Sequence, residues 1–300
     1  MKSSASSDPA AAGPAPGRPA EIEEATNRVL IHPLARALVD RLIATPVTPN
    51  QVSIASVFMA GAAAICYASL IWPLNACAGL AFQVGWHVLD GADGDLARRT
   101  GRASTIGELV DGICDHVSQG LIYIAFAIIL ARGPLHLGLW AWALAVGAAL
   151  SHFIQANAFE TGRKSYRRWV YDATWIRQNL AGAQGPGPLQ RLLGGAYLAM
   201  STLSDAGASR VEAAMGARII VGGAAADSAR RLYRETYAPL IRKSAVLSGN
   251  SRTIAAFLSL LAGSPLWFFI FEMTALNATL GLLIAWRARQ NARLIAALAA

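Results

Sequence analysis

Residues 90–115 read DGADGDLARRTGRASTIGELVDGICD, and six of the chain's 18 acidic residues fall within them. The sequence on either side is apolar enough to enter a bilayer, where an unpaired carboxylate costs several kcal/mol. Asp90 and Asp93 are three residues apart and Asp111 and Asp115 four, so each pair occupies one face of its own helix. The two helices are consecutive and joined by a polar segment, which lets all four carboxylates converge. The fold this requires is a helical membrane bundle that gathers acids at one edge and supplies them with a counter-charge.

Composition agrees. Of 300 residues, 54% are hydrophobic and 15% charged, mean hydropathy is positive, and apolar residues come in runs of about 20 rather than in alternation. We expect an all-α, polytopic integral membrane protein with six transmembrane helices and an N-terminal interfacial amphipathic helix. Residues 1–20, rich in Ala, Pro, Gly and Ser, form a disordered tail with no signal-peptide core after Lys2. Residues 21–45 carry Leu30, Leu34, Leu38 and Leu42 at four-residue intervals, as a helix lying in the interface would. Residues 46–160 hold four spans, at about 48–72, 74–89, 105–130 and 135–158. Residues 161–250 are a cytoplasmic or interfacial insertion, whose apolar pieces 189–204 and 211–226 are short for a comfortable crossing. Residues 251–300 hold two further spans, at 254–271 and 275–286, and a C-terminal tail.

A net charge of +8 suits a nucleic-acid partner or a membrane protein, and its placement decides between them. Alternating six helices puts the loops near residues 73, 133 and 273 on one side. Of the 26 Lys and Arg residues only Arg132 lies there, so both termini, the acidic stretch and 161–250 are expected in the cytoplasm. Trp72, Trp140, Trp142 and Trp267 fall toward the opposite ends of their helices, as an aromatic belt does. Basicity here reports topology and not nucleic acid. Cys66, Cys77 and Cys114 lack CxxC spacing and read as small core residues.

Pairing each acid with a buried Arg or Lys would need cations that these spanning runs almost entirely lack. A divalent metal is the natural counter-charge, and hard carboxylate oxygens suit Mg²⁺ or Mn²⁺, whose remaining ligands are often phosphate oxygens. Two ions about 4 Å apart would fit a phosphoryl-type transfer. Between the acid pairs, Gly94, Ala97 and Gly107 remove bulk where a ligand could approach backbone, and Arg98 offers a fork for phosphate oxygens. Taken singly, a glycine in a membrane helix also serves close packing.

Together these positions form one pattern: Asp90, Asp93, Gly94, Ala97, Arg98, Gly107, Asp111 and Asp115. It resembles that of the CDP-alcohol phosphotransferase (CDP-alcohol phosphatidyltransferase) family, which makes phospholipids from a cytidine diphosphate donor. Thr48-Pro49-Asn50 and the six-helix count resemble the family as well. The resemblance covers about 22–160 well and 251–287 loosely, with no counterpart recognised for 161–250. It implies two metal ions held by Asp90, Asp93, Asp111 and Asp115, and a donor site of Gly94, Ala97, Arg98 and Gly107, to which Asn50 adds. Asp115 would take the proton from an acceptor hydroxyl that attacks phosphorus, and CMP leaves. A homodimer is implied by the same resemblance.

Family members divide by donor, CDP-diacylglycerol or a small CDP-alcohol. Glu108, directly after Gly107, resembles the branch using CDP-choline or CDP-ethanolamine with a lipid alcohol such as diacylglycerol or ceramide. Gly112 stands where that branch has His, and the chain is read as a phosphatidyltransferase using CDP-diacylglycerol. His87 and His116 flank the pattern and are assigned packing or interfacial roles. Arg163 and Lys164, within a cluster that includes Arg167 and Arg168, either anchor at lipid headgroups or bind a phosphate on a polyol-phosphate acceptor. From other classes, a divalent-cation transporter or an inactive scaffold stays open. A transporter has no need of Gly94, Ala97, Arg98 and Gly107 at fixed spacing.

Overall fold

The computed structural model describes residues 19–69, 71–171 and 208–299, apart from the side chains at 105, 108 and 109. Every regular element among them is helical: α1 His32–Leu42, α2 Pro49–Ser69, α3 Leu74–Arg99, α4 Thr105–Arg132, α5 Leu139–Tyr171, α6 Ala208–Val221, α7 Gly223–Ser244, α8 Gly249–Leu261, α9 Leu266–Ile270 and α10 Leu276–Ala299. A π-helical turn, Asn27–Ile31, leads into α1, and another, Phe271–Ala275, joins α9 to α10. The 1–20 tail falls almost wholly outside the described residues, as does 189–204.

Among the described residues, four helical stretches are long and apolar enough to cross a membrane: Pro49–Ser69, Val110–Arg132, Leu139–Tyr171 and Leu266–Ala299. Of the six expected spans, those at about 74–89 and 254–271 do not each coincide with one of these stretches. α3 has the length but carries Asn75, Gln83, His87 and Asp90 within its apolar run. α8 has only 13 residues, about 20 Å of helix. The expected break between the last two spans is corrected: no loop lies near 273. The chain turns at 262–265, where Gly263 has φ of 86° and Pro265 opens α9. It then runs helically through 272–274. α3 also continues past residue 89 to Arg99, so Asp90 and Asp93 lie within it and not at its end.

The chain divides into two compact units. One comprises Glu24–Phe159 and Ser244–Leu282. Its core is formed by Tyr67, Ile122, Tyr123, Phe126, Leu130, Leu260, Phe268 and Phe269 with small residues of α2 and α5. α2 packs on both α3 and α4. Ile31 of the preceding π-helical turn and Ala35 and Val39 of α1 are buried, with Ala35 and Val39 packing against Ala92 and Leu96 of α3. Leu30 and Leu34 are left 46% and 45% exposed, while Leu38 and Leu42 are partly buried against this core, so the leucine stripe packs only at its C-terminal half.

The other unit comprises Met1–Glu23, Glu160–Lys243 and Leu283–Ala300. Its core includes Ile22, Tyr166, Trp169, Met215, Tyr233, Tyr237, Ile241 and Leu294. α5 and α10 each contribute to both units.

Candidate active site

Three helices of the first unit, α2, α3 and α4, build the site. α3 presents Asp90 and Asp93, and α4 presents Asp111 and Asp115. Between them the chain leaves α3 at Thr100, turns through Gly101 (φ 66°), and re-enters helix at Ser104. Ser104 is in an extended conformation, and its Oγ accepts the Gly107 N–H at 3.0 Å, capping α4. This tight return brings the two acidic faces together.

Among the described residues, one carboxylate oxygen from each of Asp90, Asp111 and Asp115 lies within 4.8 Å of the other two, and all three residues are half-buried. Asp93 is not in this group. It is buried, accepts a hydrogen bond from Ser53 Oγ of α2, and lies within electrostatic reach of Asp111 and Asp90. The donor set fits a hard divalent cation, since three carboxylates this close repel one another unless a cation or protons neutralise them. Asp90, Asp111 and Asp115 would hold such an ion directly, with Asp93 as a fourth oxygen donor beside them.

The expected donor-site residues flank this group. A Cβ at Gly94 would lie 3.3 Å from Arg98 Nη1, so Arg98 runs back over the glycine. Arg98 is exposed and meets Asp95 at 3.6 Å, a pairing weak enough at a surface to yield to phosphate. A Cβ at Gly107 would lie 3.6 Å from Asn50 Oδ1, which places the first turn of α2 against that of α4. Ala97 is half-buried and its carbonyl caps Arg102 N at 2.9 Å. The Glu108 side chain is outside the described residues. Asp95, which lies outside the shared pattern, also holds Arg99 Nε at 3.0 Å, while Arg99 Nη1 reaches Asp40 of α1 at 2.6 Å.

His87 packs: its ring stacks on Trp86 and its Nε2 lies 2.7 Å from Thr253 Oγ1. His116 Nδ1 lies 2.6 Å from the Gly112 carbonyl of its own helix. Arg163 and Lys164 belong to the other unit, where Arg163 donates to Glu160 at 2.7 Å and Lys164 is exposed.

Sequence reasoning missed Ser53, although it stands one turn from Asn50 on α2. It also missed Arg252 and Glu272, 1% and 0% exposed, which pair at 3.1 Å in the same unit as the site. Beginning the fifth apolar run at Ile254 left Arg252 just outside it, so the buried interior of this unit is less free of cations than expected. A buried Arg and a Glu 20 residues on, both inside an apolar run, were the available signal.

Residues 46–217, more than half of the chain, match the sequence model of the CDP-alcohol phosphatidyltransferase family. The match extends into the interval 161–250, where no counterpart was recognised. The chain is also 30% identical over 144 residues to the bifunctional IPC transferase and DIPP synthase of Thermococcus kodakarensis, covering 48% of this chain and 31% of that protein. No solved structure matches. With the entire 90–115 pattern inside the matched range and three of its carboxylates converging, the chain belongs to the CDP-alcohol phosphatidyltransferase family of transferases.

Proposed function

We propose that the protein is a divalent-metal-dependent phosphotransferase that moves a phosphatidyl group from CDP-diacylglycerol to an alcohol, a polyol or polyol phosphate, and releases CMP. The observation that carries this reading is the convergence of Asp90, Asp111 and Asp115 from two helices within the family's pattern. Mg²⁺ or Mn²⁺, two ions in this reading, neutralises the diphosphate and the carboxylates when bound. Asp93 completes the ligand set. Asn50, Gly94, Ala97, Arg98 and Gly107 receive the cytidine and diphosphate, the glycines by leaving room and Arg98 by its fork of donors. The acceptor hydroxyl oxygen attacks the phosphorus that bears the diacylglycerol. Its proton passes to an Asp115 carboxylate oxygen, the bond from that phosphorus to the bridging oxygen breaks, and CMP carries the electron pair away. Glu108 is assigned to the acceptor.

Six segments crossing a cytoplasmic membrane, with α1 in the interface, fit the exposure of Leu30 and Leu34 and of Trp72, Trp140, Trp142 and Trp267. The bilayer is thus a working partner, and a homodimer is proposed by family likeness alone. The test is CMP release by purified protein with Mg²⁺ or Mn²⁺, crossing CDP-diacylglycerol, CDP-choline and CDP-ethanolamine with polyols, polyol phosphates and diacylglycerol. CDP-diacylglycerol is expected to be the donor. Release only from CDP-choline or CDP-ethanolamine reassigns the chain to the other branch. No release from any donor, with metal-driven uptake into vesicles, returns the cation-transport reading.

A further inference from the structure

Two adjacent residues near the start of α8 hold two different helices. Thr253 Oγ1 is 2.7 Å from His87 Nε2, and His87 stands one turn before Asp90 on α3. Arg252 grips Glu272 through Nε and Nη2 at 3.1 Å, and it also donates to the Gln155 side chain and to the carbonyls of Leu247 and Ser248. The Tyr123 hydroxyl lies 2.9 Å from His152 Nδ1 and within electrostatic reach of Arg252 and Glu272. Tyr123 is eight residues beyond Asp115, about 12 Å along the same face of α4. One helical turn, buried and polar, is therefore tied to both helices that carry the site carboxylates.

An isolated ion pair in an apolar bundle contributes little net stability, because desolvation offsets its attraction. What it adds here is fixed geometry, since Arg252 has donors committed to four separate groups. We propose that the Arg252–Thr253 turn of α8 is a splint that sets the spacing of the α3 and α4 carboxylates, making these two positioning residues for divalent-cation binding. The inference rests on the reading that Asp90, Asp111 and Asp115 hold a cation. Metal ligands tolerate displacements of only about 0.2 Å, so a splint that slackens by a fraction of an ångström is felt at the ion.

The direct readout is Mn²⁺ binding to purified protein, followed by electron paramagnetic resonance without nucleotide. Thr253→Val keeps the shape and removes the hydroxyl. It is expected to weaken Mn²⁺ binding roughly tenfold, as loss of a supporting group around a metal site does, with the melting temperature near wild type. Thr253→Ser is expected to restore binding, and Tyr123→Phe to weaken it in the same direction. Ser259→Ala, a buried position farther along α8, serves as the control and is expected to bind as wild type.

Wild-type Mn²⁺ affinity in Thr253→Val overturns the proposal, as does an equal loss in Ser259→Ala. If Thr253→Val does not fold, wild-type affinity in folded Tyr123→Phe overturns it instead. Should wild type bind Mn²⁺ and the variants behave as expected while no CDP-linked donor yields CMP, the function fails and the splint stands. CMP release with unaltered Mn²⁺ affinity in the variants gives the reverse. No Mn²⁺ binding by wild type overturns both.

Discussion

At the scale of single residues, the site separates acids by environment. Asp90, Asp111 and Asp115 are half-buried and share a small volume, while Asp93 lies deeper and takes a hydrogen bond from Ser53. Asp115→Asn keeps the shape and removes both a proton acceptor and a negative ligand. We expect CMP release to fall at least about 100-fold, measured with both Mg²⁺ and Mn²⁺; activity within a factor of a few of wild type would remove Asp115 from the chemistry. Ser53→Ala strips a donor from a buried carboxylate, a loss of about 1.5–3 kcal/mol for a charge-assisted bond. The expected result is CMP release reduced by roughly tenfold or more, whereas Ser56→Ala, whose hydroxyl donates to the Ser53 carbonyl at 2.7 Å, stays near wild type. The convergence of Asp90, Asp111 and Asp115 was legible in the sequence because the spacing puts each acid pair on one helical face, whereas the deeper seat of Asp93 was not. Ser53 was not legible, because a serine in a small-residue helix looks the same whether it packs or donates until the opposite helix is placed.

At the scale of elements, the close approach of α2 and α3 is the step that allows α3 and α4 to face each other. Gly79 of α3 lies directly under the Tyr67 ring, and a Cβ there would collide with three of its carbons. Tyr67 is 1% exposed and its hydroxyl bonds Gln83, so the ring cannot swing aside. Gly79→Ala is expected to destabilise the bundle by about 3 kcal/mol, at the upper end for overpacking, and to lower the detergent-solubilised melting temperature. Gly120→Ala, where a Cβ meets nothing within 4 Å, is the matched comparison; equal melting temperatures for the two would refute a close α2–α3 crossing. Helix starts and ends were legible where Pro and Gly punctuate the chain, as at Pro49, Pro73 and Gly133. The last turn was misplaced although Gly263-Ser264-Pro265 carried the usual turn signal. Glu272 and its polar neighbours broke the apolar run on paper, but in the fold Glu272 is neutralised by Arg252 and the helix continues through it.

At the scale of the whole molecule, charge bears on the stability of one unit and on the proposed membrane orientation. In the unit that holds Glu21, the carboxylate accepts from Tyr166 at 3.0 Å and from Tyr171, and lies 3.7 Å from Arg234. Burial pushes its pKa up, yet these donors, its own backbone and Arg234 outweigh burial and hold it below the ordinary value. A folded-state pKa below the unfolded one stabilises above the unfolded value, about 4.3, and that stability is lost as pH falls through the folded value. Glu21→Gln is therefore expected to flatten the acid limb of melting temperature against pH and to leave the profile above about pH 6 parallel to wild type. The proposed membrane orientation rests on the placement of cations. Moving the last turn from 273 to 262–265 leaves the argument intact, because that turn contains no Lys or Arg and Arg132 is still alone on its side. The segment 100–104, by contrast, carries Arg102 and follows Arg98 and Arg99. In a background with Cys66, Cys77 and Cys114 replaced, Leu135→Cys, at a position 50% exposed, should react with a membrane-impermeant maleimide in intact cells. Ala103→Cys, exposed beside the carboxylate site, should react only after permeabilisation. The reverse pattern would put the site outside the cytoplasm, away from any supply of cytidine nucleotide, and would overturn the orientation and the proposed reaction together.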